Sequence, residues 1–284
     1  MRWLVFMLLS ANLWGAKYWW KIEVVDSFGN RGQYTSAILD DSGRPWISYY
    51  DANNGWLMCA HWTGTLWDID TVDIGDVGKY SNIALDKSGH PHIVYFDERN
   101  SRLKHAWWTG AIWDTETVKD PNSGDYGYWC DIAIDSLNRI WVSYYDADNK
   151  RLMCACKVGS VWDTIYIVAE AFGPAVGEYS SICIDTSNNP HISYHHAVNG
   201  LSHAWWDGSK WQAQQVSPVN AYYTSITVSE YDTLYISYYN PASQDLGCAK
   251  GYDSSSSWGW TTQVVDTQGK VGKWTSVDVY GNSP

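Results

Sequence analysis

The stretch from Tyr80 to Trp113, YSNIALDKSGHPHIVYFDERNSRLKHAWWTGAIW, decides the fold. It recurs from Tyr34 (YTSAILDDSGRPWISYYDANNGWLMCAHWTGTLW), Trp129 (WCDIAIDSLNRIWVSYYDADNKRLMCACKVGSVW) and Tyr179 (YSSICIDTSNNPHISYHHAVNGLSHAWWDGSKW). A looser copy starts at Tyr223 (YTSITVSEYDTLYISYYNPASQDLGCAKG), and a sixth opens at Trp274 with WTSVDVYGNSP. Successive copies begin 46, 49, 50, 44 and 51 residues apart. Self-similarity at that period, with several strands per unit, is the signature of propeller blades.

Each copy reads as four short strands. In the quoted unit these are SNIALD, HPHIVYFD, RLKHAWW and IWDTETV, separated by turns rich in Gly, Asn, Asp and Pro. The first two strands are apolar on both faces, as sheets buried on both sides require, and a blade sandwiched between neighbours meets that condition. No segment after the opening residues carries a capped 3.6-residue apolar period, so no helix is expected. The fold class is all-β: a β-propeller of four-stranded antiparallel blades, with five complete repeats and a split sixth. The N-terminal stretch Tyr18 to Val25 reads as an outer strand and Trp274 to Tyr280 as an inner one. They are complementary parts of one blade without its middle, which predicts a six- or seven-bladed parent cut inside a repeat.

The repeat runs end to end, giving one propeller domain over residues 17–284. The formal charge of −12 and the lack of any basic cluster exclude a nucleic-acid partner and an anionic membrane surface. The opening MRWLVFMLLSANLWGA has one Arg and a short apolar run, predicting a signal peptide over residues 1–16 and export. It is too short to span a bilayer, so no membrane insertion is expected. Six cysteines in an exported chain invite disulfides. However, Cys59, Cys154 and Cys248 share one third-strand position in three different blades, beyond the reach of about 7 Å for a disulfide. They read as small buried hydrophobes.

Strand directions sort the loops. The links GNRGQY, GDVGKY, GDYGYW, GPAVGEY and GKVGKW share one face with the turns beginning at Asp51, Asp97, Asp146, His196 and Asn240. First strands line a propeller's axis, so Tyr34, Tyr80, Trp129, Tyr179, Tyr223 and Trp274 should ring one mouth of the channel. Flat aromatics beside carboxylates and amides suit a sugar: the ring stacks on C–H groups and polar neighbours take the hydroxyls. The competing reading is structural, with each aromatic packed on its Gly-containing link. Asp51, Asp97 and Asp146 could likewise ring a polyol or cation, or each could cap its own D-x-x-N turn. His195 and His196 break the Tyr/Phe-Asp/Asn pattern and mark the fourth copy as different.

Catalytic and metal chemistry find little support. His90 and His92 have H-x-H spacing, but the position of His92 is Trp46, Trp141, His191 and Tyr235 elsewhere, an aromatic packing slot; no metal site and no cofactor are expected. Equivalent turn aspartates in neighbouring blades should be roughly 12 Å apart, given strands spaced about 4.7 Å. That is too far for the paired carboxylates of glycoside hydrolysis. No G-x-S-x-G, H-E-x-x-H or P-loop occurs.

The pattern D-x-S-G-x-P-x-I-S-Y-Y-D followed by L-x-x-A-x-W-x-G-x-x-W resembles the repeats of secreted bacterial β-propeller proteins grouped with sialidase-like, BNR or Asp-box propellers. The likeness extends from Tyr18 to Pro284. Asp41-Ser42-Gly43-Arg44-Pro45-Trp46 keeps the D-x-G and Trp of an Asp-box, with Leu39 in place of its leading hydroxyl residue; other copies set Asp three before the Gly or Asn. The resemblance implies an exported or cell-surface propeller. The expectation is a monomeric, non-catalytic module binding a carbohydrate or other surface macromolecule through the mouth aromatics and the second-to-third turns. The alternatives are a sialidase-like glycoside hydrolase relative and a purely structural or adhesive module.

Overall fold

The computed structural model describes residues 4–10, 19–118, 124–169, 174–254 and 257–279. All regular elements among them are strands. β1 (Leu4–Ser10) and β2 (Trp19–Asp26) form an antiparallel pair. Five four-stranded antiparallel sheets follow. The first contains β3 (Arg31–Leu39), β4 (Pro45–Asp51), β5 (Trp56–Trp62) and β6 (Trp67–Asp73). The second contains β7 (Val77–Leu85), β8 (Pro91–Asp97), β9 (Arg102–Trp108) and β10 (Trp113–Thr117). The third contains β11 (Tyr126–Ile134), β12 (Ile140–Asp146), β13 (Arg151–Val158) and β14 (Val161–Ala169). The fourth contains β15 (Val176–Ile184), β16 (Pro190–His196), β17 (Gly200–Trp206) and β18 (Trp211–Ser217). The fifth contains β19 (Tyr222–Val228), β20 (Leu234–Asn240), β21 (Asp245–Asp253) and β22 (Trp258–Asp266). Strand order in each sheet is sequence order, so every connection is a simple turn. The sheets are propeller blades, with β3, β7, β11, β15 and β19 adjacent around one channel.

The core lies between blades. Tyr95, Ile93 and Ala106 of the second blade pack on Leu57 and Cys59 of the first; Val142, Tyr144 and Met153 of the third pack on Val94 and Leu103 of the second. Both faces of β4, β8, β12, β16 and β20 are buried, matching the two-faced apolar pattern of the sequence. The link glycines let each blade close on its predecessor. A Cβ on Gly127 would meet the Leu103 backbone nitrogen at 2.7 Å, and one on Gly177 would meet the Leu152 Cα at 2.6 Å.

The outer strands of the first three blades are latched by indoles. Trp67 donates to Glu23 of β2 at 3.2 Å, Trp113 to Asp70 at 3.0 Å and Trp162 to Glu116 at 2.9 Å. β2 therefore stands against the first blade as the outer strand of a preceding blade would, with Val25 in the apolar cluster of Ile47, Tyr49 and Met58. Tyr49 bonds Asp26 there as Tyr95 bonds Asp73 one blade on. The hydrogen-bonded partner of β2 is β1, formed by part of the expected leader; residues 1–3 and 11–16 of that segment lie outside the described residues. At the other end, Trp274 and Thr275 take up the inner-strand position beside β19, with Thr275 Oγ1 bonded to Ser237 Oγ at 3.0 Å.

The first-to-second turns are held by Asp40, Asp86, Asp135 and Asp185, whose carboxylates accept backbone N–H bonds two and four residues on; Ser229 does the same in the fifth blade. The repeat of this turn thus centres on Asp40 rather than on Asp41. All six cysteines are free, and His92 stacks on His105 with their ring centroids 5.1 Å apart.

Candidate functional site: an aromatic collar at the mouth of the channel

Each inner strand carries a β-bulge at the aromatic that opens the repeat. The β3–β4 register shifts between Gln33 and Ser36, β7–β8 between Lys79 and Asn82, and β11–β12 between Tyr128 and Asp131. The last two blades shift between Glu178 and Ser181 and between Tyr222 and Ser225. The bulged residue is in the left-handed region every time: φ is 53° at Tyr34, 55° at Tyr80, 47° at Trp129, 56° at Tyr179 and 55° at Tyr223; Trp274, outside any strand, has the same conformation at 58°. Bulky side chains rarely adopt that conformation, so each one stores strain that its surroundings must hold. The hold is a seam around the axis. Ser81 donates to the carbonyl of Tyr34, Cys130 to that of Tyr80, Ser180 to that of Trp129 and Thr224 to that of Tyr179.

The bulges bring the predicted aromatics together. Ring centroids are 5.0 Å apart for Tyr34–Tyr80, 5.9 Å for Tyr80–Trp129, 4.9 Å for Trp129–Tyr179, 4.9 Å for Tyr179–Tyr223 and 4.1 Å for Tyr223–Trp274. The result is a continuous arc at the mouth of a channel of about 560 Å³. A second row backs it: Tyr50, Phe96, Tyr145, His195 and Tyr239 each meet the collar aromatic of their own blade.

The turn carboxylates are not part of this surface. Asp51, Asp97 and Asp146 are buried, and each accepts from the backbone N–H and side-chain amide of the Asn three residues on. Arg31 adds a bond to Asp51, and Arg151 one to Asp146. His196 does the same work in the fourth blade, its Nδ1 accepting from the N–H groups of Val198 and Asn199. These four residues, expected in the binding surface, serve their own turns. His195 does lie in the backing row. It is buried between Glu178 (3.1 Å from Nδ1) and Asn220 at Nε2, with Tyr222 edge-on at 5.0 Å.

One site residue was not anticipated. Two positions after each aromatic the copies read Ser36, Asn82, Asp131, Ser181, Ser225 and Ser276, and these line the channel below the collar. Asp131 is the only carboxylate among the described lining residues. Burial pushes its carboxyl up from the ordinary range, opposed by donors from the Ile182 N–H, the Ser181 hydroxyl and the Ile132 N–H, each at 2.8–2.9 Å. Aligning the third position of each copy would have exposed it.

No protein-family model matches the sequence, and no curated protein does. Solved structures do match. The SapL1 lectin, determined in complex with alpha methyl fucoside, superposes with a TM-score of 0.58 at 14% identity, covering 85% of this chain and 83% of that one. The Aleuria aurantia lectin, a fungal lectin described as a six-bladed β-propeller with a novel fucose recognition mode, gives 0.58 at 14% identity over 84% and 80%. The intramolecular trans-sialidase from Ruminococcus gnavus gives 0.56 at 10% identity over 82% and 84%. At such identities the likeness establishes the propeller fold; it does not single out the BNR or Asp-box group.

Proposed function

We propose that this chain is an exported, non-catalytic propeller that binds a carbohydrate at the collar formed by Tyr34, Tyr80, Trp129, Tyr179, Tyr223 and Trp274. The observation that carries the reading is the strained left-handed backbone repeated at all six aromatics, which keeps their rings at the rim of an open channel. Sugar C–H faces stack on such rings, and the channel hydroxyls, Asn82 and Asp131 offer the polar partners. That two matched propellers are lectins agrees with it. Trp129→Ala is expected to weaken retention on a glycan array or an immobilised polysaccharide by tenfold or more, on the order of the 1.4 kcal/mol that one ring contact supplies. An unchanged binding profile, or no glycan retained by the parent protein, would reject the collar as a sugar site. Appearance of the chain in the cytosolic fraction only would reject export.

A second reading, a glycosidase or lyase relative, is favoured only by Asp131, an unrepeated carboxyl at the axis. Hydrolysis requires two carboxyls about 5–9.5 Å apart, and the described channel lining supplies one. Asp131→Asn is therefore expected to leave any polysaccharide-degrading activity at background. A parent activity abolished by that substitution would favour the enzyme.

A further inference from the structure

On the face opposite the collar, the fourth and fifth blades part at their rim. Between the fourth and fifth blades lies a cavity of about 490 Å³, walled by Trp205, Trp206 and Trp258 and by Asp185, Asp207 and Asp253. Asn189, His191, Gln212 and Ser257 complete it, and none of these lining residues is Lys or Arg.

The equivalent cleft between the second and third blades shows what such a place accommodates. There Lys157 reaches from β13, and its ammonium lies 4.7 Å from the centre of the Trp107 ring and 5.7 Å from that of Trp162. Lys157 pairs with Ile140 and Trp162 in its sheet. Gly251, which pairs with Leu234 and Trp260, is its counterpart in the fifth blade. Trp205 is the counterpart of Trp107: each pairs with a histidine of the second strand, His191 and His92. The internal ion pair of Lys157 with Glu116 is thus missing from the fourth–fifth cleft, where Gly251 and Gln214 stand at the two positions. The Trp260 ring leans over Gly251, where a Cβ would meet it at 2.7 Å, and Trp205 and Trp258 line an acidic cavity.

We propose that this cleft is a second binding site, separate from the collar, that takes the protonated amine of an amine-bearing saccharide. The ammonium takes the role that Lys157 plays two blades away, over an indole and beside carboxylates, where cation–π attraction and charge act together. The sugar ring covers the indoles, and Asn189, Gln212 and Ser257 meet its hydroxyls. Asp207 is held well below the usual carboxylate range by the Gln212 side chain and the Lys210 and Ser209 N–H groups. Burial would raise Asp185, but bonds from His191 and Asn189 outweigh it and hold it low. The site therefore keeps its negative charge at the mildly acidic pH where a hexosamine is fully protonated. Uronates and sulfated sugars are repelled, and the net charge of −12 steers the same way.

The test titrates the intact chain with chitohexaose, its fully N-acetylated counterpart and hexagalacturonate at mildly acidic pH, reading indole fluorescence and calorimetry. Chitohexaose is expected to bind about tenfold more tightly than the N-acetylated hexamer, with hexagalacturonate inert. Trp205→Ala and the isosteric Asp253→Asn should each cost about tenfold, whereas Trp129→Ala should leave this binding unchanged. Equal affinity for chitohexaose and its N-acetylated counterpart, or full binding by Asp253→Asn, overturns the proposal. Spermidine binding as tightly as chitohexaose overturns its saccharide part, and loss in Trp129→Ala would return the ligand to the collar.

Discussion

Gly127→Ala is expected to destabilise the propeller by about 3 kcal/mol, combining strain at a left-handed position with overpacking against fixed backbone. Gly127 sits at φ 110°, and its missing Cβ leaves room for Leu103, whose nitrogen, Cα and Cβ would lie 2.7–2.8 Å away. Real Cβ atoms do not approach backbone so closely. The third blade would have to withdraw from the second, opening the cluster of Val94, Leu103, Tyr126 and Tyr144. Urea unfolding read by indole fluorescence checks this. Gly43→Ala, whose Cβ would meet nothing within 4 Å, is the control for φ strain alone, since Gly43 also has positive φ, at 72°. A Gly127→Ala midpoint equal to that of Gly43→Ala would show that the close approach does not matter.

Glu116→Gln should cost a similar amount, about 3 kcal/mol, because it strands a buried cation. Glu116 accepts at once from the Lys157 ammonium, the Trp162 indole and His105, and the Lys157 side chain is only 7% exposed. Removing one partner of such a cluster leaves a desolvated charge, so the double variant Glu116→Gln/Lys157→Met should regain most of the loss. The same carboxyl sets a pH window. Burial would raise it, but the bonds from His105 and Lys157 prevail and bring it down to about 2, from 4.5 for the unperturbed group. Its contribution is complete above the unfolded value and is lost as pH falls through the folded one, between about 4.5 and 2. Acid titration of stability should therefore be flatter in that window for Glu116→Gln than for the parent; parallel curves would contradict the assignment.

The architecture was legible because the repeat exposes it: the period, the two-faced second strands and the turn residues all point to blades. The mouth aromatics were legible as positions but not as conformations, since nothing in the letters Tyr and Trp announces a left-handed backbone. That geometry comes from the bulge and from the seam of Ser81, Cys130, Ser180 and Thr224 in the next blade. Asp51 and its equivalents were ambiguous because one carboxylate can face a ligand or its own turn, and only the observed bonds to Asn54, Asn100 and Asn149 decide it. Asp131 is not marked by the repeat, because its position reads Ser or Asn in the other copies. The rim cleft could not be read at all, as its walls come from two blades and meet only in the folded chain.

The seam around the axis grips the main chain at four of the bulges, through the carbonyls of Tyr34, Tyr80, Trp129 and Tyr179, and not through the rings. Tyr and Trp already alternate there with little change in φ. One flat ring can therefore replace another at the mouth with no shift of register, so that divergence in what is recognised need leave little trace in the frame.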